Sequence, residues 1–174
     1  RQIDITNEVF FGYPAMVNDK GIKKPSYYAY YFLSKLGDTL LYKGDGYILT
    51  KSEDEYQLLV YTYNDEIDSL IDFKNFTKLR GVKDLVDKKL SLNLLDLDSD
   101  VRITKYTIGE NFGSSFNYWL SMGKPKRLRK AEKDILFQAS YPKIEFKYAK
   151  KNTILNIQTT LQGYCAELFI LKKV

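Results

Sequence analysis

Pro25-Ser26-Tyr27-Tyr28-Ala29-Tyr30-Tyr31-Phe32-Leu33-Ser34-Lys35-Leu36-Gly37 is the stretch on which the reading of this chain turns. Proline suits the first turn of a helix because its missing N–H would be unpaired there anyway. Gly37 stands where a left-handed cap would be needed, so the segment predicts a helix over Pro25–Leu36. Tyr28, Phe32 and Leu36 recur at i, i+4 and i+8 and share one stripe, which Tyr27 and Tyr30 widen beyond half the circumference. A helix apolar over so much of its surface needs cover on more than one side. It is expected to be wedged between two layers.

Before this helix, Ile3–Met16 reads as an extended or loop leader, and Gly21 and Pro25 bracket a turn. After Gly37 the pattern changes to short runs rich in Tyr, Leu, Ile and Val. Thr39–Lys43, Tyr47–Ser52 and Tyr56–Tyr63 read as strands, separated by Gly44-Asp45-Gly46 and Glu53-Asp54-Glu55. Residues 64–84 form a mixed connection. Leu90, Leu92 and Leu94 alternate with Ser91 and Asn93 in a half-buried strand, and Val101–Ile108 is another. Phe116–Met122 makes one or two helical turns ended by Gly123 and Pro125, and Lys130–Ala139 is helical. Lys143–Ala149, Thr153–Leu161 and Tyr164–Lys172 close the chain as strands. Strands in this number, with turn chemistry between them, predict an antiparallel β-sandwich.

Composition narrows the chemistry. The chain has 174 residues, a net charge of +5, 44% apolar residues and one cysteine, Cys165. A single thiol excludes an internal disulfide and every multi-thiolate metal site. It sits in a strand pattern and reads as a small buried hydrophobe. Histidine is absent, which removes Ser-His-Asp and Cys-His devices, imidazole ligands and imidazole proton shuttles. The apolar runs stay under ten residues, short of the ~20 a spanning helix needs. With no signal-peptide pattern at Arg1, the expected compartment is the cytoplasm, and the chain reads as a piece of something larger.

Four local features invite a functional reading. Asp96-Leu97-Asp98-Ser99-Asp100 begins like a calcium loop, but Val101 stands where glycine is wanted and Thr107 where glutamate is, so a solvated turn is expected. Lys124, Lys126, Arg127, Arg129, Lys130 and Lys133 form a basic cluster with Glu132 as its one acid. The helix before them is too short and Pro125 breaks the joint, so the cluster reads as a solvated helix start and not as a helix-turn-helix. The 15 Tyr, 10 Phe and 1 Trp mostly lie inside apolar stretches, where packing is their ordinary fate, and Trp119 should anchor its helical turn. Glu8, Glu53 and Glu55 form no pair spaced for glycoside hydrolysis.

Phe10-Phe11-Gly12-Tyr13, Gly21-Ile22-Lys23-Lys24-Pro25-Ser26-Tyr27-Tyr28-Ala29-Tyr30 and Leu36-Gly37 together resemble the end of the catalytic barrel in glycoside hydrolase family 39, the β-xylosidases. Gly113-Ser114-Ser115-Phe116-Asn117-Tyr118-Trp119-Leu120-Ser121-Met122-Gly123-Lys124-Pro125 resembles that family's sandwich, where a Trp-x-x-Met-Gly-x-Pro run recurs. The resemblance implies a mainly β fold: an antiparallel β-sandwich preceded by the terminal strand and helix of a TIM-type (β/α)8 barrel. Residues 1–37 would be the barrel remnant, and 38–174 the sandwich with a helical insertion near 116–139.

Both catalytic glutamates would then lie on barrel strands upstream of Arg1, so no catalytic, metal-binding or cofactor-binding residue is expected here and the fragment should be inert. One departure stands out: the family pattern Phe-His-Gly-Gly beside the substrate reads Phe10-Phe11-Gly12-Tyr13, which should crowd a xylose pocket. The same module resembles that behind the helix-turn-helix of AraC-type transcriptional regulators in Gram-positive bacteria, where its role is sensing or structural. A regulator parent is favoured over a true β-xylosidase, with a carbohydrate-binding module as a further alternative. The expected partners are the rest of the barrel, or a second copy through helix 25–36, with a sugar as the ligand open to the parent, DNA met only by another domain, and no membrane.

Overall fold

The computed structural model of the protein describes residues 9–10, 15–63, 87–95, 98–151 and 154–174. Glu8, Phe11, Gly12, Tyr13, the connection 64–84, Asp96 and Thr153, all of which figure in the sequence reading, lie outside the described residues, as does most of the expected last barrel strand. The elements run α1 (Pro25–Leu33), β1 (Thr39–Gly44), β2 (Tyr47–Lys51), β3 (Glu55–Tyr61), β4 (Asp87–Leu95), β5 (Val101–Ile108), α2 (Phe116–Ser121), α3 (Lys130–Ala139), β6 (Lys143–Ala149), β7 (Ile154–Gln162) and β8 (Ala166–Lys173). By contacts the chain falls into two compact units, each made of two stretches: Arg1–Ser34 with Thr107–Lys143, and Lys35–Tyr106 with Ile144–Val174.

The second unit is the antiparallel sandwich. One sheet has six strands in the order β1-β2-β3-β8-β5-β6, and the other pairs β4 with β7. Antiparallel register places Leu49 opposite Leu58 and Leu58 opposite Phe169. Because side chains alternate across a strand, Leu58 and Val60, Val101 and Ile103, and Phe169 and Leu171 each fall on one face. With Leu49, Ile157 and Leu161 they form a single buried cluster. The facing pair is registered Leu90–Thr159, Leu92–Ile157 and Leu94–Leu155. Its inward leucines are half-buried while Lys89, Ser91 and Asn93 stay polar. That alternation is the sequence signature of a sheet with one wet face.

Two turns show what holds the sandwich edges. Gly46 takes a φ of +73°, closing the β1–β2 hairpin, and Lys88 Nζ donates to the Asp45 carbonyl at 2.7 Å and to its carboxylate at 2.9 Å. Before β5, Asp98 accepts from Lys173 Nζ at 3.0 Å, and Asp100 accepts from the Lys151 N–H at 2.7 Å and from the Tyr148 hydroxyl. The two described carboxylates of the calcium-like run are thus spent on cations and donors of the fold itself.

The first unit is built on rings. Val9, Ile22, Trp119 and Leu136 are its buried centre, with Phe10, Phe116, Leu120, Met122, Leu128 and Phe137 packed around them. Helix α1 ends at Leu33, three residues before the predicted limit, on a right-handed Ser34 whose hydroxyl turns back to the Tyr31 carbonyl at 2.7 Å. Gly37 is therefore not the left-handed cap the sequence predicts. It lies past the helix, where its N–H donates to Thr50 Oγ1 at 2.8 Å and to Gln57 Oε1 at 3.1 Å.

Candidate docking surface and its supports

Helix α1 is held by the hairpin that precedes it. Asn18 is the organising residue: its Oδ1 accepts from the N–H groups of Lys20 (3.0 Å) and Ile22 (2.8 Å), and its Nδ2 donates to the Val9 carbonyl at 2.9 Å. Gly21 at φ +80° makes the reversal, and the Lys24 N–H reaches the Met16 carbonyl at 2.8 Å. Ile22 is fully buried, and Lys23 Nζ lies 4.3 Å from the centre of the Tyr27 ring. The Gly-Ile-Lys-Lys-Pro run thus has a local physical role. It buries one aliphatic anchor, stacks one ammonium on the helix's first tyrosine, and starts the helix on Pro25.

The Trp-x-x-Met-Gly-x-Pro run is a second clamp. Gly123 (φ +83°) and Lys124 (φ +56°) turn the chain back after α2. The Lys124 N–H donates to the Trp119 carbonyl at 3.1 Å, and Trp119 Nε1 donates to the Pro125 carbonyl at 3.1 Å. The indole is 2% exposed and packs on Phe10 and Phe116 at 5.5 and 5.8 Å between ring centres. Trp119 anchors its turn, as the sequence predicts. Of the basic cluster, Lys124, Lys126, Arg127, Arg129 and Lys130 are exposed, while Glu132 caps the start of α3 by accepting from the Arg129 N–H at 2.7 Å.

With these supports in place, α1 shows two faces. Tyr28 and Phe32 are buried, while Ala29, Tyr30 (61% exposed) and Leu33 (49% exposed) face outward. The Tyr28 ring meets Tyr27, Tyr31 and Tyr141 edge-on or tilted, and its buried hydroxyl has no hydrogen-bond partner among the described residues. Burial, then the neighbouring phenols led by Tyr141, push its pKa up to about 12. The outward face is apolar and uncharged, as a docking surface would be.

The sandwich unit holds one feature the sequence reading missed. Lys105 Nζ lies 2.6 Å from Glu167 Oε1 and 4.0 Å from Glu145, and Glu167, buried at 5% exposure, also accepts from the Thr159 hydroxyl. Beside them opens a groove of about 350 Å3, lined by Ile103, Phe146, Asn156 and Gln158 among others. Strand period 2 carries the signal: Lys105 has the parity of Val101 and Ile103, and Glu167 that of Phe169 and Leu171. An ammonium sits against both carboxylates, so the arrangement is a charged trio and not a pair facing across an open cleft. Cys165 is half-buried, and burial first, then the Glu167 charge, raises its thiol pKa.

No family model matches the chain. Among solved structures, the GH39 enzyme from Xanthomonas axonopodis pv. citri superimposes with a TM-score of 0.81 at 17% identity, over 97% of this chain and 34% of that one. A monomeric β-xylosidase from Caulobacter crescentus gives 0.79 at 18% identity, with the same coverage. The fold is that of the C-terminal portion of a GH39-like module. By sequence, this GH39-like chain is 26% identical over 125 residues to a β-xylosidase of Geobacillus stearothermophilus. It is 25% identical over 129 residues to an uncharacterized HTH-type transcriptional regulator of Staphylococcus aureus. It spans 22% of the first relative's length and 16% of the second's.

Proposed function

We propose that this GH39-like portion is the non-catalytic sensing or structural part of an AraC-type transcriptional regulator. The observation that carries the choice is Phe10-Phe11-Gly12-Tyr13 in a chain with no histidine. Where the family pattern sets a hydrogen-bonding imidazole and a close-approach glycine beside the sugar, this sequence sets bulky rings. The nearly equal similarity to a β-xylosidase and to HTH regulators supports a shared module under both parents, and the altered loop favours the regulator. On this reading the work is mechanical. The outward face of α1, with Tyr30 and Leu33, packs on the rest of the barrel in the parent chain, and DNA is met by a separate domain. The parent works in the cytoplasm without a cofactor bound to these residues.

The test is made on the parent protein. Promoter binding without xyloside hydrolysis supports the regulator, while hydrolysis abolished by changing a barrel glutamate supports the second reading, an accessory domain of a true β-xylosidase, which the Geobacillus similarity favours. Binding of xylo-oligosaccharides to the present chain alone would replace both with a carbohydrate-binding module.

A further inference from the structure

Strand β6 reads Lys143-Ile144-Glu145-Phe146-Lys147-Tyr148-Ala149 and, among the described residues, ends the six-stranded sheet with β5 as its neighbour. Its first six residues are all exposed, among them Ile144 (49%), Phe146 (75%) and Tyr148 (55%). An edge of this kind is a template for another strand. Proteins commonly blunt such edges with lysine, and Lys143 and Lys147 would serve if they stood alone. Glu145 changes that reading.

Around Phe146 the strand is a charge palindrome. Laid antiparallel on a second copy with the two-fold axis at Phe146, Glu145 falls opposite the partner's Lys147, and Lys147 opposite the partner's Glu145. Ile144 meets the partner's Tyr148, Tyr148 meets the partner's Ile144, and Phe146 meets the partner's Phe146. All pairs keep to their own face of the sheet, because residues of equal parity are matched. Centring the axis on Glu145 instead would set glutamate against glutamate and lysine against lysine, and centring it on Lys147 would set lysine against lysine. One register is complementary and its neighbours are repulsive, which fixes alignment as well as affinity. Glu145 lies 4.0 Å from Lys105 Nζ, so the partner's Lys147 would join an existing charged row.

We infer that β6 is a self-recognition edge through which two copies of this chain join their six-stranded sheets, in the register centred on Phe146. The Caulobacter β-xylosidase of the same fold is monomeric, so the pairing is attributed to this strand's sequence and not to the fold.

Sedimentation equilibrium of the chain, with Glu145→Lys and Lys147→Glu made singly, tests the inference. Lys147 is exposed, so Lys147→Glu should leave thermal unfolding at the parent value, while Glu145→Lys, which sets a second ammonium near Lys105, is read against its own thermal midpoint. The unaltered chain is expected to dimerise, and each single substitution, by setting like charges opposite each other twice, to weaken the dimer about tenfold. Mixing the two single variants one to one should restore the original dissociation constant, since in the mixed dimer every charge again meets its opposite. A chain monomeric at all concentrations overturns the inference. So does a dimer indifferent to the two charges, one lost instead through Leu33→Asp on α1, or a mixture that fails to regain affinity.

Discussion

A Cβ at Gly37 would lie 2.5 Å from the Lys51 carbonyl oxygen and 2.6 Å from Gln57 Oε1. Real Cβ atoms do not approach so closely, and Gln57 cannot retreat freely. It is fully buried, accepts from Thr50 Oγ1 at 2.9 Å and donates to Ser52 Oγ and Glu55 Oε1, each at 3.0 Å. Gly37→Ala should therefore lower stability by about 2 kcal/mol or more, read as a fall in the denaturation midpoint. Tyr28 offers the opposite case. Its hydroxyl is buried with no partner among the described residues, so Tyr28→Phe removes an uncompensated polar group and should raise stability by about 1 kcal/mol. With a folded pKa of about 12 against about 10 when unfolded, Tyr28 keeps its proton in the folded state while the unfolded state loses it. Below pH 10 both states hold this proton and stability is unaffected by it, and as pH rises from there towards 12 stability falls. Tyr28→Phe should flatten that part of the unfolding curve.

Between elements, the buried pair Lys105–Glu167 joins β5 to β8 across the sheet. Removing the cation alone takes the neutralising charge from a carboxylate at 5% exposure that also accepts from the Thr159 hydroxyl. Lys105→Met should cost about 2 kcal/mol, reduced from the fully buried case because the lysine side chain keeps 25% of its exposure. Lys105→Met with Glu167→Leu should recover most of the loss, and chemical denaturation of the three variants would check it. Most strands were legible in advance, and β5, β6 and the helix α3 begin and end where the sequence sets them. The misses have one cause. Gly37 answers to Gln57, twenty residues on, and Lys105 answers to Glu167 on another strand, so neither role exists until the sheet's register is set. Leu36 extended the apparent stripe of α1, but the turn that ends it is made by Ser34. The two resemblance-bearing motifs were legible as patterns, while their reasons, a carbonyl for the Trp119 indole and an Asn18 hub, needed coordinates.

For the molecule as a whole, the exposed apolar face of α1 and the charge-matched edge of β6 have different consequences. The first should bind a hydrophobic dye in the present chain. Tyr30→Ser with Leu33→Ser should lower that fluorescence by about half without moving the thermal transition, since both residues lie outward. Dye binding unchanged by the pair would deny α1 its role as a joint.

The interleaving of the two units, each drawn from two lengths of chain, bears on how such a module can be inherited or engineered. No single cut yields either unit whole. A gene truncated near residue 37 keeps every described strand of the sandwich yet parts the helices α2 and α3 from Val9, Phe10 and Ile22 of the core they share. On the ribosome, too, the first unit must wait for residue 143 and the second for residue 174. Recombination would have to carry these residues as one block.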